Sequence, residues 1–249
     1  MTVDKTEKII PKNFGHIGHL TGSKMIDEED KMLPLDVQDI FIKKKRDKND
    51  IVIVTEKIDG MNVGVVKKAG KLYGVNRRGY LTRTMGRVRK ELSLLGKCWD
   101  LWIDLHKDIY SDILKDGERL VFEDCIIKHT LSYRFRTDPV FLLAKYNADG
   151  FRISYSELRH IGESYGLAMP PLLNYGCAIA PEIVLSQYPN GLVGSKNKIE
   201  GIMYVYEHNN QFQGSAKYVS NKIMGVPHPD LNSFNTWEGV DLFTQLLDN

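Results

Sequence analysis

The stretch TEKIDGMNVG, residues 55–64, connects two short apolar runs and places a lysine at the connection. The runs on either side, DIVIVTEK and MNVGVV, are rich in β-branched residues, which predicts two consecutive strands. Lys57 and Asp59 are two residues apart, so in extended backbone both side chains point to the same side. Gly60 lets the chain turn without a side chain that would block a ligand. The pattern predicts either a hairpin with an exposed ion pair or a lysine displayed in a cleft.

Strand and helix patterns surround this stretch without the regular alternation of a parallel α/β fold. A hairpin turn at Ala69-Gly70 is predicted to lead into a third strand, KLYGVNR. Apolar residues recur at spacings of three and four over residues 88–113, which predicts one long helix with Trp99 and Trp102 in the core. Further strands are predicted at 119–127, 139–147, 200–206 and 212–219, and helices at 154–164 and 180–188. We predict an α+β fold of antiparallel sheets flanked by helices.

The two ends of the chain show weaker patterns. The first fifty residues have no clear periodicity, and beyond about residue 225 the chain becomes polar and contains proline. We predict one folded domain at residues 1–225 and a polar tail at 226–249, with a short helix near Val240.

Composition excludes several classes of protein. Three widely spaced cysteines predict neither a disulfide framework nor a zinc site, which favours a reducing compartment. The N-terminus lacks the apolar core of a signal peptide, and no apolar run reaches the roughly 18 residues of a membrane span. We therefore expect a cytoplasmic protein without a membrane partner. Basic residues cluster at 43–48 and 76–90, either as solvated faces or as a surface that follows nucleic-acid phosphates.

A lysine such as Lys57 is a poor nucleophile at neutral pH, because its ordinary pKa is about 10.4. Burial, neighbouring cations or a metal ion must favour the neutral amine before it reacts. Taken alone, Lys-x-Asp-Gly is a weak signal, but four further motifs follow it in order. They are VNRRG with Arg77, VFED with Glu123, IEGIMY with Glu200 and SAKYV with Lys217.

Together the five motifs resemble those of the covalent nucleotidyltransferases: the DNA ligases, the RNA ligases and the mRNA capping enzymes. The resemblance implies that Lys57 attacks the α-phosphate of a nucleoside triphosphate and holds the nucleotide through a phosphoramidate bond. It implies that Arg77 binds the ribose and the acceptor-strand phosphate, that Glu123 binds the ribose, and that Lys217 binds the α-phosphate. It also implies that Lys217 and a metal ion push Lys57 toward its neutral form. Glu200 lies beside that metal in this pattern.

Between about residues 18 and 219 the chain resembles the RNA ligases in particular. GHLTGSKMIDEEDKML, EKIDGMNVGV and FEDCIIKHTLSY carry this likeness. Asn62 stands where DNA ligases and capping enzymes usually carry arginine, and its amide oxygen can hold a metal-bound water. Glu56 and Ile58 flank the lysine and are candidates to read adenine through backbone or side-chain atoms. Asp59 is a second candidate metal ligand, because Mg²⁺ commonly uses one or two carboxylates.

The chain departs from the family pattern at three places. The last motif usually has two lysines, and Ser215 replaces the first of them. An aromatic residue and an aspartate are expected where Ala144 and Lys145 stand, which leaves Phe141 and Tyr146 as candidates to stack on adenine. The chain after the last motif is too short for the oligonucleotide-binding barrel of DNA ligases and capping enzymes. We therefore expect no C-terminal oligonucleotide-binding fold, and a partner domain or protein is a candidate to supply that module.

The motifs predict an ATP-dependent RNA ligase that joins 5′-phosphate and 3′-hydroxyl ends through a lysyl-AMP intermediate, with Mg²⁺ or Mn²⁺. A DNA ligase or a capping guanylyltransferase of the same superfamily is the alternative. A domain that binds nucleotide or RNA without turnover is the alternative from another class. A competing signature, His-Ile-Gly-His at residues 16–19, resembles class I aminoacyl-tRNA synthetases, but the strand-to-helix context that it requires is missing.

Overall fold

The computed structural model describes residues 7–25, 30–43, 47–84, 93–196, 198–221, 234–238 and 240–241, and the structural statements below concern these residues. Its helices are α1 (Leu35–Ile42), α2 (Ser93–Leu105), α3 (Lys107–Ile113), α4 (Tyr155–Tyr165) and α5 (Pro181–Gln187). Its strands are β1 (Gly18–His19), β2 (Asp50–Lys57), β3 (Met61–Lys68), β4 (Lys71–Asn76), β5 (Arg119–Asp124), β6 (Arg134–Phe135), β7 (Val140–Tyr146), β8 (Leu172–Tyr175), β9 (Gly201–His208), β10 (Gln211–Val219), β11 (Thr236–Trp237) and β12 (Val240–Asp241).

A five-stranded sheet carries Lys57 at the end of β2. Its strand order is β1-β10-β9-β2-β8, and every pair is antiparallel except the short parallel pair β1–β10. Lys57 lies opposite Gly201, and two residues along the same strands Thr55 lies opposite Met203. Met203 in turn lies opposite Lys217. Because directly opposed residues share a face of the sheet, Lys57 and Lys217 project from the same face.

A four-stranded antiparallel sheet of order β4-β3-β5-β7 follows directly from this point, because residues 58–60 connect β2 to β3. The predicted hairpin between β3 and β4 is confirmed, with positive φ at Ala69 (50°) and Gly70 (72°). Asn62 lies opposite Glu123, and Glu123 lies opposite Phe141. These three side chains therefore share one face of the second sheet.

The other face of the four-stranded sheet forms the main core with α2 and α3. Val63, Phe122 and both tryptophans belong to this core. Trp99 is fully buried, its ring lies 5.5 Å from that of Phe122, and its Nε1 donates to the Gly64 carbonyl at 3.1 Å. The predicted core position of the tryptophans is confirmed. A second core lies between α1, α5 and the face of the five-stranded sheet opposite Lys57.

The α+β prediction is confirmed, and so is the helix start at Ser154, where the side chains of Ser154 and Glu157 form a capping box. The prediction of a single long helix over 88–113 is wrong, because α2 ends at Leu105 and a separate helix, α3, begins after His106. Residues 88–92 lie outside the described part of the chain. The break lets α3 bring the Tyr110 ring to 5.6 Å from Phe122.

The two ends of the chain differ from the sequence prediction. Helix α1 and strand β1 lie in the segment without visible periodicity, because elements of eight and two residues are too short to show one. The helix predicted near Val240 stays a prediction, because residues 242–249 lie outside the described part of the chain; Val240 itself pairs with Trp237 in a short strand. Asn235 accepts from Tyr133 N at 2.7 Å and donates to the Cys125 carbonyl at 2.8 Å. Residues 234–238 thus pack on the domain, inside the range predicted as a tail.

Candidate active site

An ion pair between Lys57 and Glu200 forms the centre of the site. Glu200 directly precedes β9, and the antiparallel register of β2 and β9 brings it to the end of β2. Lys57 Nζ donates to Glu200 Oε1 at 2.8 Å and to Oε2 at 2.7 Å. The Lys57 side chain is 21% exposed and that of Glu200 only 2%. The lysine is therefore reachable from solvent, whereas its carboxylate partner is enclosed.

The charges around Lys57 stabilise its ammonium form. Burial lowers the pKa of Lys57, but Glu200, Glu123 and Asp59 together outweigh burial and raise that pKa above its ordinary value. The expectation that Lys217 and a metal ion push Lys57 toward its neutral form stays a prediction. In this structure Lys217 Nζ lies 2.9 Å from Asp30 Oδ1. These carboxylates therefore favour the charged, non-nucleophilic form of Lys57 in this structure.

Glu123 and Asp59 lie beside this pair and are held by backbone groups. Gly60 N donates to Glu123 Oε1 at 3.2 Å. Asp59 Oδ2 accepts from Leu131 N at 2.7 Å, and Asp59 N donates to the Tyr133 hydroxyl at 2.9 Å. The Asp59 carboxylate thus fixes the loop after β5 in addition to facing Lys57.

The pKa of Glu123 predicts a pH-dependent stability. Burial raises that pKa from 4.5 to about 7, with Lys57 opposing and Glu200 and Asp59 adding to the shift. The unfolded carboxyl loses its proton at lower pH than the folded one, so ionising Glu123 lowers the free energy of unfolding as pH rises from about 4.5 to 7. The glutamine of Glu123→Gln does not ionise, so the variant is not destabilised in this way. The free energy of unfolding of the variant minus that of the wild type is expected to be roughly 1–3 kcal/mol larger at pH 8 than at pH 5. Urea unfolding at both pH values checks this, and an unchanged difference contradicts it.

Gly60 is required by a close approach of two strands. A Cβ at this position would lie 2.6 Å from the Asp124 carbonyl oxygen and 2.6 Å from Cys125 Sγ. Gly60→Ala is therefore expected to lower the free energy of unfolding by roughly 1–3 kcal/mol, as overpacking does, and to displace Glu123. Gly214→Ala on β10 is the matched control, because a Cβ there meets nothing within 4 Å. Equal urea midpoints for the two variants would refute the prediction.

Three of the residues implied to bind nucleotide have buried side chains. Glu56 accepts from Leu192 N at 2.6 Å, and burial raises the pKa of its carboxyl. Ile58 is part of the main core. Phe141 is 2% exposed, with its ring 5.7 Å from that of Phe135. In this structure the side chains of Glu56 and Ile58 point away from Lys57, and the Phe141 ring is covered, so none of the three presents a surface to a base.

Arg77 is exposed and directly follows β4, the strand that pairs with the one carrying Asn62. Its guanidinium lies 3.4 Å from His16 Nδ1, and its carbonyl accepts from Asn13 N at 3.1 Å. The N-terminal segment therefore borders Arg77. Residues 44–46 and 85–90 of the two predicted basic clusters lie outside the described part of the chain.

The oxygen atoms around Lys57 are of the kind that a divalent cation prefers. Asn62 Oδ1 is buried and has no hydrogen-bond partner among the described residues, whereas its Nδ2 lies 3.5 Å from the Phe122 carbonyl. This acceptor, with the carboxylates of Glu200 and Asp59, supplies oxygen ligands of the kind that Mg²⁺ prefers. Within the described ranges, no three His, Cys, Asp or Glu side chains are grouped to hold a metal by themselves.

His129 is a neighbour of the site to which the sequence assigned no role. Its Nε2 is buried without a hydrogen-bond partner in the described part of the chain. Burial lowers the pKa of His129, Lys57 adds to that shift and Asp59 opposes it, which reflects how near both charges are. The segment FEDCIIKHTLSY, which resembles RNA ligases, contains this histidine. Only the fold shows that the loop after β5 returns to Lys57.

The fold is similar to that of ligase nucleotidyltransferase domains. The Naegleria gruberi RNA ligase with PPi has a TM-score of 0.53 and 17% identity, covering 82% of this chain and 59% of that one. A lysine-to-alanine mutant of the same ligase with ATP and Mn has a TM-score of 0.50 and 18% identity, covering 86% and 61%. A putative ATP-dependent DNA ligase from Aquifex aeolicus has a TM-score of 0.51 and 15% sequence identity. The match covers 83% of this chain and 49% of that one.

The sequence match is more specific than the fold. The family model described as RNA ligase matches residues 50–219, which include every motif from Lys57 to Lys217. This chain belongs to the RNA ligase family. It spans between about half and three-fifths of the length of the solved structures named above. No curated protein matches it. None of the described helices combines the length and hydrophobicity that crossing a bilayer requires.

Proposed function

We propose that this chain catalyses ATP-dependent joining of RNA 5′-phosphate and 3′-hydroxyl ends through a lysyl-AMP intermediate on Lys57. The observation that carries the proposal is the partly exposed Lys57 ammonium held by Glu200, with Glu123 and Asp59 beside it. This arrangement lies within the segment that matches the RNA ligase family. Because the matched structures are longer than this chain, the activity of the whole protein is part of the proposal.

The proposed reaction has three steps, and in each a bond to phosphorus forms as another breaks. Lys57 Nζ loses a proton and attacks the α-phosphorus of ATP, so that an N–P bond forms while the bond to the leaving pyrophosphate breaks. The oxygen of an RNA 5′-phosphate then takes the AMP and frees the lysine. A 3′-hydroxyl finally loses its proton and attacks the activated 5′-phosphate, which forms the phosphodiester and releases AMP.

The protein contributes mainly position and charge, as in phosphoryl transfer generally. Lys217 projects from the same face as Lys57 and is proposed to neutralise charge on the α-phosphate. Glu123 is proposed to accept from the ribose, for which its raised pKa near 7 leaves it partly ionised at neutral pH. Arg77 is exposed and proposed to bind the ribose and an RNA phosphate.

We assign Glu200, Asp59 and the Asn62 amide oxygen to a site for Mg²⁺ or Mn²⁺, directly or through water. A divalent cation there would neutralise the carboxylate that now holds Lys57 and so favour the reactive amine. The buried, unpartnered Asn62 Oδ1 supports this assignment. The Naegleria structure that contains ATP and Mn supports the choice of nucleotide and metal.

A labelling experiment tests the proposed function. The protein is incubated with α-labelled ATP or GTP and Mg²⁺ or Mn²⁺, then denatured and separated by electrophoresis. A covalent label from ATP that transfers to 5′-phosphorylated RNA supports the ligase. Label from GTP alone indicates a capping enzyme, transfer to DNA strands only indicates a DNA ligase, and no label indicates a nucleotide-binding domain without turnover.

Two further expectations belong to this proposal. A partner domain or protein that contributes an oligonucleotide-binding module is proposed. A cytoplasmic location is supported by the free thiols of the three cysteines, Cys98, Cys125 and Cys177.

A further inference from the structure

A buried polar cluster holds Lys217 from the side of the N-terminal segment. Asp30 Oδ1 lies 2.9 Å from Lys217 Nζ and 3.0 Å from His19 Nε2. The side chain of His19 is 1% exposed, that of Asp30 11% and that of Lys217 18%. One carboxylate oxygen therefore serves two basic groups, and the lysine remains partly open to solvent.

The backbone fixes this cluster against the sheet. His19 lies opposite Lys217 in the β1–β10 pair, and Leu20 N donates to the Lys217 carbonyl at 2.9 Å. His19 Nδ1 lies 2.6 Å from Ser23 Oγ, and that oxygen accepts from Val219 N at 2.9 Å. The imidazole ring is thus held at both nitrogens. Its position, and through it that of Asp30, is set relative to β10.

We propose that Asp30, held by His19 and Ser23, is a positioning residue that aims Lys217 at the phosphates of the bound nucleotide. This inference rests on the proposed function. Asp30 accepts from Lys217 through Oδ1 and engages one of the three donors of its ammonium group, so Lys217 keeps donors for a phosphate. A free lysine side chain loses rotamer entropy on becoming fixed, and Asp30 removes most of that loss before nucleotide binds.

Ser215 stands where the family pattern usually has a lysine, so this chain has one lysine rather than two at this place, and the position of that lysine matters more. Ser215 lies two residues before Lys217 on β10, so both project from the same face. A lysine at position 215 would project from the same face and would place a second ammonium near Lys217. With Lys217 alone, any swing of its side chain leaves the phosphate charge uncompensated. The N-terminal segment that carries His19 and Asp30 therefore becomes part of the catalytic apparatus.

Asp30→Asn tests the proposal, with Asp39→Asn as the matched control. Asp39 also pairs with a lysine at 2.9 Å, but this pair with Lys43 is exposed on α1. The first measurement is the acetylation rate of each lysine by limiting acetic anhydride, read by mass spectrometry without nucleotide. Asp30→Asn removes the ion pair that holds Lys217 Nζ, so the side chain meets the reagent more freely and its acetylation rate is expected to rise about 3-fold or more. Asp39→Asn is expected to leave the Lys217 rate unchanged.

The second measurement is the single-turnover rate of lysyl-AMP formation against ATP concentration. Asp30→Asn is expected to lower the maximal rate about 10-fold or more, with a smaller change in apparent ATP affinity, because misplacement of a group penalises the reacting geometry. Adding Ser215→Lys to Asp30→Asn is expected to restore most of the rate, since a second ammonium compensates for the unheld one.

The outcomes separate this proposal from its alternatives. Unchanged Lys217 acetylation in Asp30→Asn would overturn it, because Asp30 would not hold the lysine. A lower rate that follows a lower melting temperature, and that Ser215→Lys does not restore, would make Asp30 purely structural and also overturn it. If the wild type forms no lysyl-AMP, the proposed function fails, whereas the acetylation result still decides whether Asp30 holds Lys217.

Discussion

Lys57→Ala is expected to abolish the covalent label from α-labelled ATP, down to the background of a protein without enzyme activity. The physical reason is that the N–P bond of the intermediate requires this amine, and no neighbouring group can replace it. Lys217, on the same face, is held by Asp30 in this structure. The measurement is the amount of label per protein after denaturation, at saturating ATP and metal.

Loss of label in Lys57→Ala must be separated from loss of the fold, because the alanine leaves Glu200 enclosed without its cation. Removing one partner of a buried ion pair costs about 3–5 kcal/mol, and less here because Lys57 is 21% exposed. Lys57→Arg is the matched variant: it keeps a cation beside Glu200 but carries a guanidinium that does not deprotonate. It is expected to fold and still to take no label. A labelled Lys57→Arg protein would exclude Lys57 as the nucleophile.

Glu200→Gln is expected to lower the rate of lysyl-AMP formation by about 100-fold or more and to weaken its dependence on Mg²⁺ or Mn²⁺. The amide can accept a hydrogen bond from Lys57, but it cannot carry the negative charge that attracts a divalent cation. The same substitution removes the largest of the charges that raise the pKa of Lys57. The Lys57 amine is therefore more often neutral in the variant. Lysyl-AMP formation is nevertheless expected to be slower, because the metal ion binds more weakly.

These two opposing effects can be separated by measuring the rate against metal concentration and pH. Glu207→Gln is the control, because Glu207 is another buried carboxylate on β9 but accepts from Tyr155 N, at 2.6 Å. Its variant is expected to lose stability without changing the metal dependence. A Glu200→Gln protein that keeps the wild-type metal dependence would remove Glu200 from the metal site.

The local elements of the fold followed from the sequence because they rest on neighbouring residues. The hairpin at Ala69-Gly70 needs two residues with positive φ, and the α4 start needs Ser154 and Glu157 three positions apart. Both requirements are visible in a short window. The break at His106 was not visible, because the apolar spacing continues across it and only the packing of α3 on the sheet requires two helices.

The candidate site divides in the same way. Lys57, its glycine and the order of the five motifs could be found in the chain itself, and strand alternation placed Lys57 and Asp59 on one side. Which carboxylate binds the lysine could not be found, since Glu200 is 143 positions away and reaches Lys57 only through the register of β2 and β9. The partner of Lys217 was hidden for the same reason, because Asp30 is 187 positions away.

By itself, then, the sequence indicated the longer strands, the hairpin at Ala69-Gly70, the α+β class and Lys57 as the candidate nucleophile, all of which depend on spacing along the chain. Only the tertiary structure decided the charge state and partners of that lysine, the enclosure of Glu56 and Phe141, and the cluster around Asp30. Those properties depend on distances between strands that are far apart in the chain. Electrostatic energies are set by such distances and by burial, neither of which a linear pattern contains.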